Sequence, residues 1–151
     1  MAVIREMKET DWTCVRKIYE QALLEGRSTF QTECPGYDVW DKGHLSDCRF
    51  VILLDGKVAG WCAISPTSSR EVYKGVVEVS IYVDVDCRSR GLGEALLERL
   101  CEESEEKGYW CLYASIFSVN EASIRLHKKL GFREIGYREK IAKYCFVGAP
   151  E

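Results

Sequence analysis

Apolar positions along this chain change their spacing in a regular way. Val15, Ile18, Tyr19, Ala22 and Leu23 recur at i, i+3, i+4, i+7 and i+8, the stripe of an amphipathic helix. Thr10 is a suitable N-cap ahead of that helix and Gly26 a suitable stop. A short strand is expected near 2–6, and a second short helix of mixed character over 35–47. The period then shortens. RFVILL (49–54) and VAGWCAIS (58–65) are β-rich runs joined by Asp55-Gly56-Lys57, whose Asp-Gly pair suits a tight hairpin turn. A polar loop over 66–75 leads into VVEVSIYV (76–83), another strand pattern.

The second half alternates helix and strand. A helix over 91–107 carries Leu92, Leu96, Leu97 and Leu100 on one side, with Glu102, Glu103, Glu105 and Glu106 on a solvated face. Gly108 closes it, and WCLYASIF (110–117) reads as a strand. Asn120 is placed to cap a helix running to Leu130, with Gly131 as its C′ residue. FREIGY (132–137) and YCFV (144–147) are expected to be further strands. Hairpins first and β-α-β-α-β later predict an α/β protein with a mixed sheet and helices on both faces. No linker, repeat or low-complexity stretch interrupts residues 1–151, which read as a single domain.

Composition narrows the classes of function. The net charge is −3, so the basic excess of a nucleic-acid-binding protein is missing. No run reaches membrane-span length, and MAVIREMKETDW has no apolar core for a signal peptide, which points to a cytoplasmic protein with no membrane partner. The eight cysteines, at 14, 34, 48, 62, 87, 101, 111 and 145, form no CxxC pair. Without close ligand spacing they read as reduced thiols rather than a metal site. Cys62 and Cys111 lie in apolar runs as small hydrophobes, while Cys34 and Cys87 fall in loop-like stretches.

One segment asks for a chemical explanation. In VDVDCRSRGLGEALLERL (83–100) a strand breaks into two arginines and two glycines where a helix begins. Glycines let a ligand approach the backbone, first-turn N–H groups lack helical partners, and the helix dipole favours negative charge, so this is a recipe for holding phosphate. A Walker A loop is excluded because no Gly-Lys-Ser/Thr follows, and a dinucleotide fingerprint because the third glycine is missing. What remains is Arg88-x-x-Gly91-x-Gly93. One strand and one helix later comes Asn120-x-x-Ser123-x-x-Leu126-His127-x-x-Leu130-Gly131-Phe132.

These two motifs, in this order, resemble the signatures of the GCN5-related N-acetyltransferases. IYEQALLEGRSTF (18–30), SPTSSREVY (65–73) and SIRLHKKLGFREIGYREKIAK (123–143) look like the phosphinothricin and methionine sulfone acetyltransferase branch, which includes arsinothricin acetyltransferases. The resemblance covers the chain to about residue 143. Relatives continue into a Gly-x-Trp-x-Asp segment and a longer last strand, where this chain has YCFVGAPE. It implies an acyl-CoA N-acyltransferase fold, with a central, mostly antiparallel sheet and helices on both faces. It also implies acetyl-CoA as the acetyl donor, a small-molecule amine as acceptor, no metal, and a homodimer.

The resemblance assigns roles residue by residue. Arg88, Ser89, Arg90, Gly91, Leu92 and Gly93 would cradle the diphosphate, and the backbone of Ile81, Tyr82 and Val83 would pair with the pantetheine arm. An N–H near Tyr82 or Val83 would polarise the thioester carbonyl. Asn120, with Ser123, would touch the arm, a role compatible with capping because its amide has donor and acceptor ends. Glu78 shares a strand face with Ser80 and Tyr82, and is the candidate base, against the alternative of a surface carboxylate. His127 is the candidate for the leaving thiolate, as proton donor or as a helper in deprotonating the amine, against the alternative of a core histidine.

For a glutamate-like substrate the site needs cations. Arg70 and Arg27 are candidates because an arginine fork makes paired, charge-assisted bonds to carboxylates. Relatives often carry a further arginine where this chain has Ser68. Tyr73 and Phe30 could wall the pocket. Two other readings stay open, acetylation of a protein N-terminus or lysine, and a non-catalytic acetyl-CoA-binding module.

Overall fold

A computed structural model describes residues 2–26 and 33–137. Arg27, Phe30 and the expected strand over 144–147 lie outside the described residues. Strand β1 (Ala2–Glu6) leads through a 3-10 turn (Glu9–Asp11) into helix α1 (Trp12–Glu25), and α2 (Tyr37–Gly43) follows. Strands β2 (Phe50–Leu54) and β3 (Lys57–Pro66) form the expected hairpin, with Asp55 at φ 51° and Gly56 at φ 82°. Then come β4 (Val76–Val83), α3 (Leu92–Glu106), β5 (Cys111–Tyr113) and α4 (Glu121–Lys129).

The sheet order is β1-β2-β3-β4-β5, antiparallel except for the parallel β4–β5 pair. The alternation of strand side chains sorts the core into two layers. Val51, Trp61 and Ala63 face α1 and α2, packing with Val15, Ile18, Tyr19, Leu23 and Trp40. Phe50, Ile52, Cys62, Ile64, Val77 and Val79 face α3, packing with Leu92, Leu96, Leu97 and Leu100. Each fully buried leucine contributes about 1.5–3 kcal/mol, so α3 is anchored chiefly by that leucine face.

Four local expectations are corrected. Thr10 does not begin the first helix. It sits inside the 3-10 turn, and the Asp11 carboxylate folds back to accept the Lys8 N–H at 2.8 Å. The strand over 110–117 shrinks to Cys111–Tyr113, because β5 pairs only with Val76–Glu78 and then diverges. Cys111 is exposed rather than buried, since it belongs to an edge strand. Residues 132–137 form no strand; Ile135 and Tyr137 are exposed, and no strand lies alongside to complete a ladder among the described residues. Elsewhere the glycine stops fall as expected, with Gly26 at φ 68° and Gly131 at φ 96°.

Candidate active site

The early end of β5 opens a fork in the sheet. Strand β4 pairs with β3 from Val77 to Val83, but with β5 only from Val76 to Glu78. From Val79 to Val83 its other edge meets no strand among the described residues. Backbone N–H and C=O groups on a partly covered edge need partners, and Ile81, Tyr82 and Val83 are half-buried there. Glu78 stands at the crotch of the fork, opposite Ser65 on β3 and Tyr113 on β5.

The loop after β4 is fixed from below. The Asp84 N–H donates to Ala59 O at 2.8 Å, and the Asp84 carboxylate accepts the Asp86 N–H at 2.9 Å. From α1, the Gln21 side-chain oxygen accepts the Val85 N–H at 3.0 Å. Ser89 (φ 63°) and Gly91 (φ 77°) both take the left-handed conformation, the kind of backbone from which anion-binding nests of amides are built. The first helical bond of α3 is Ala95 N–H to Gly91 O, 3.1 Å, so the amides of Leu92, Gly93 and Glu94 precede it. Among the described residues, apart from its chain neighbours, nothing lies within 4 Å of where a Cβ on Gly91 would stand, which leaves room for a ligand there. A Cβ on Gly93 would come within 3.3 Å of Leu126 on α4, so that glycine lets the two helices meet. These features fit a diphosphate.

The two arginines differ. Arg90 is exposed. Arg88 instead forms a two-pronged pair with Glu25 at the end of α1, at 2.7 and 2.6 Å, which ties the loop to the opposite layer.

On α4, the Asn120 Oδ1 accepts the Ser123 N–H at 3.3 Å, so the side chain caps the helix through its acceptor end. His127 is buried, edge-on to Phe132. Its Nδ1 lies 2.8 Å from Ser123 O. A carbonyl only accepts, so Nδ1 carries the proton and Nε2 keeps its lone pair. Burial lowers the imidazole's pKa, favouring the neutral ring. Its one N–H is thus spent inside the helix, and the atom left for chemistry is an acceptor.

In the loop before β4, the Arg70 guanidinium lies over the Tyr73 ring at 5.7 Å, and the Arg70 backbone N–H donates to Ser68 Oγ at 3.1 Å. Both Arg70 and Tyr73 are exposed. Tyr82 packs into an aromatic floor, 5.1 Å from Trp61 and 5.2 Å from Tyr19, where burial raises its phenol pKa. Burial also pushes the Cys62 thiol up to about 12 and Cys48 to about 11, which leaves them protonated and inert. The sequence reading missed Glu25, whose side chain matters as the partner of Arg88, a contact between positions 63 apart that only the fold creates.

A β4 edge that meets no strand among the described residues, running into a left-handed turn at a helix start, suits an acyl-CoA-dependent N-acyltransferase. Residues 7–132 match the family model described as Acetyltransferase (GNAT) family, and the chain belongs to that family. It is 30% identical to phosphinothricin N-acetyltransferase of Streptomyces coelicolor, over 93% of this chain and 88% of that one. It is also 30% identical to the L-amino acid N-acyltransferase MnaT of Escherichia coli, over 85% and 78%. A phosphinothricin acetyltransferase from Sinorhizobium meliloti, solved in complex with acetyl-CoA, superposes with a TM-score of 0.79 at 28% identity, covering 89% of this chain and 76% of that one.

Proposed function

We propose that this protein transfers the acetyl group of acetyl-CoA to the α-amino group of a small amino acid, or of a glutamate-like antimetabolite of the phosphinothricin, methionine sulfoximine or arsinothricin type. The observation that carries the reading is the fork, an open β4 edge with the amide nest of residues 88–93 at one end and Glu78 at the other. When bound, acetyl-CoA supplies the thioester whose acyl carbon is attacked.

This chain's residues then divide the work. Amides of the 88–93 loop neutralise the diphosphate, and the free edge of Ile81–Val83 aligns the pantetheine arm. A strand N–H near Tyr82 or Val83 donates to the carbonyl oxygen, stabilising the charge that develops there. Glu78 takes a proton from the substrate ammonium, so that the nitrogen lone pair can attack. The nitrogen's next proton leaves with the coenzyme sulfur, and His127 Nε2 accepts a hydrogen bond from the resulting thiol. Arg70 pairs with a substrate carboxylate, and Tyr73 walls the pocket.

Following thiol release from acetyl-CoA with a panel of amines tests this reading. Turnover with phosphinothricin, methionine sulfone or a common amino acid is expected. Turnover on peptides alone would replace the reading with a protein acetyltransferase, and tight binding without turnover would leave a coenzyme-binding module. The homodimer and cytoplasmic setting belong to the same proposal; light scattering checks the former.

A further inference from the structure

A carboxylate is out of place at the end of a helix. The carbonyls of the last turn carry partial negative charge, so cations are preferred there and acidic groups disfavoured. Helix α1 breaks this rule. It ends on Glu25 with no basic residue in its last turn, and stops at Gly26, whose N–H donates to Ala22 O at 3.2 Å. A local rule broken without a local reason points to a role elsewhere in the fold. The missing cation comes from 63 positions further along the chain. Arg88 Nη1 and Nη2 donate to the two carboxylate oxygens of Glu25 at 2.7 and 2.6 Å, a paired, charge-assisted contact.

The receiving loop needs such a restraint. Ser89, directly after Arg88, holds φ 63°, a left-handed conformation that a residue with a Cβ adopts only at a cost. Gly91 caps α3 without a side-chain hydrogen bond, so the helix start does not fix the loop by itself. Before it, the 3-10 turn Val85–Cys87 closes with the Cys87 N–H on Asp84 O at 2.9 Å. After it, α3 opens with the Ala95 N–H on Gly91 O at 3.1 Å. Between those two bonds, the hydrogen bonds that residues 88–90 make among the described residues are the two to Glu25.

The anchor itself is firm. Val15, Ile18, Tyr19, Ala22 and Leu23 bury one side of α1. Gln21 accepts the Val85 N–H at 3.0 Å, and stands four residues before Glu25 on the same helix face. Helix α1 thus grips the coenzyme loop twice, at its beginning and at Arg88. With its fork engaged by Glu25, Arg88 is a structural cation, and long-range attraction for phosphate falls to the exposed Arg90.

We infer that Glu25 is a positioning residue for acetyl-CoA: through Arg88 it holds the 88–93 loop in the shape that receives the diphosphate. The inference rests on the coenzyme placement proposed above. Glu25 touches neither the coenzyme nor the acceptor, so its effect is confined to coenzyme affinity. The pair is half exposed, so it biases the loop by about fivefold at most, and losing it raises the apparent dissociation constant by the same factor.

Calorimetry with acetyl-CoA tests this, because it needs neither an acceptor nor turnover. Glu25→Gln preserves side-chain size and removes the charge from the pair. Its acetyl-CoA dissociation constant is expected to rise about three- to fivefold, and the acetyl-CoA KM with it. The kcat at saturating acetyl-CoA and the amine KM should stay at wild-type values, and the melting temperature should fall by no more than about 4 °C. Arg88→Gln removes the other partner, and the double variant should bind no more weakly than the weaker single one. The opposite arrangement, in which Arg88 serves the diphosphate and Glu25 competes for it, predicts tighter binding in Glu25→Gln. Tighter or unchanged binding in that variant would overturn the inference, as would losses that add in the double variant, or a fall in kcat at saturation. If Glu25→Gln does not fold, Glu25→Asp, one methylene too short for the two-pronged fit, is measured in its place against the same outcomes. Failure of the wild-type protein to bind acetyl-CoA would overturn the proposed function and this inference together. Wild-type binding with an unaffected Glu25→Gln would overturn this inference alone.

Discussion

Glu78 occupies the last rung on which β5 still pairs with β4, so its side chain stands where the sheet opens. A carboxylate mid-strand is costly unless solvated or used, and here the fork gives it access. Glu78→Gln keeps the shape and removes the proposed base. It is expected to lower kcat by about 10²–10⁴, the usual range for a positioned acid–base group, while calorimetry finds the same acetyl-CoA affinity. Unchanged turnover would remove Glu78 from the chemistry. The two histidines make a complementary point. Each spends Nδ1–H on the carbonyl four residues earlier in its own segment, and each keeps Nε2 as an acceptor. The motif residues at this scale were legible because their types and order carry the signal. Their partners were not. The Arg88–Glu25 pair joins positions 63 apart, and whether an arginine meets a ligand or a glutamate depends on packing that no local pattern encodes. That pair is half exposed, so it is worth no more than about 1 kcal/mol in stability.

At the scale of elements, α3 sits closely on the sheet. Gly60 on β3 is the tight point. A Cβ there would stand 3.0 Å from Tyr82 O and 3.2 Å from both Ile52 and Leu96. Gly60→Ala is therefore expected to lose about 1–3 kcal/mol through overpacking, read as a lower denaturation midpoint. A midpoint at the wild-type value would mean that α3 can lift without penalty. Helix periodicity, the Asp55-Gly56 turn and the glycine stops were readable because each is a short-range property. Strand ends were not. WCLYASIF has strand-forming residues throughout, yet only Cys111–Tyr113 pair, since pairing requires a neighbour and β4 diverges after Glu78. FREIGY likewise has no strand beside it among the described residues. The feature most important to the proposed chemistry, the gap between β4 and β5, is thus the one that composition could not show.

Across the whole molecule, three buried or paired groups set the response to acid. Burial holds His44 and His127 below the ordinary histidine pKa. The unfolded chain takes up protons that the native state refuses, so their contribution is full above about pH 6.5 and is lost as pH falls from there through the native values. Asp11 is held low by its hydrogen bonds to Arg5, at 2.8 Å each, so its contribution persists until the pH drops below about 4 and is then lost as the carboxylate protonates. Urea midpoints should be flat above neutrality and fall on acidification in two stages, with His44→Asn/His127→Asn flattening the upper one. A midpoint that rises between pH 7 and 5 would contradict this assignment. The central claim concerns the fork itself, and a crystal structure of the protein with acetyl-CoA tests it most directly. The diphosphate should lie on the amides of residues 88–93, with the pantetheine arm along Ile81–Val83 and the thioester beside Glu78. A coenzyme bound elsewhere, with that loop closed over by its own side chains, would contradict the account.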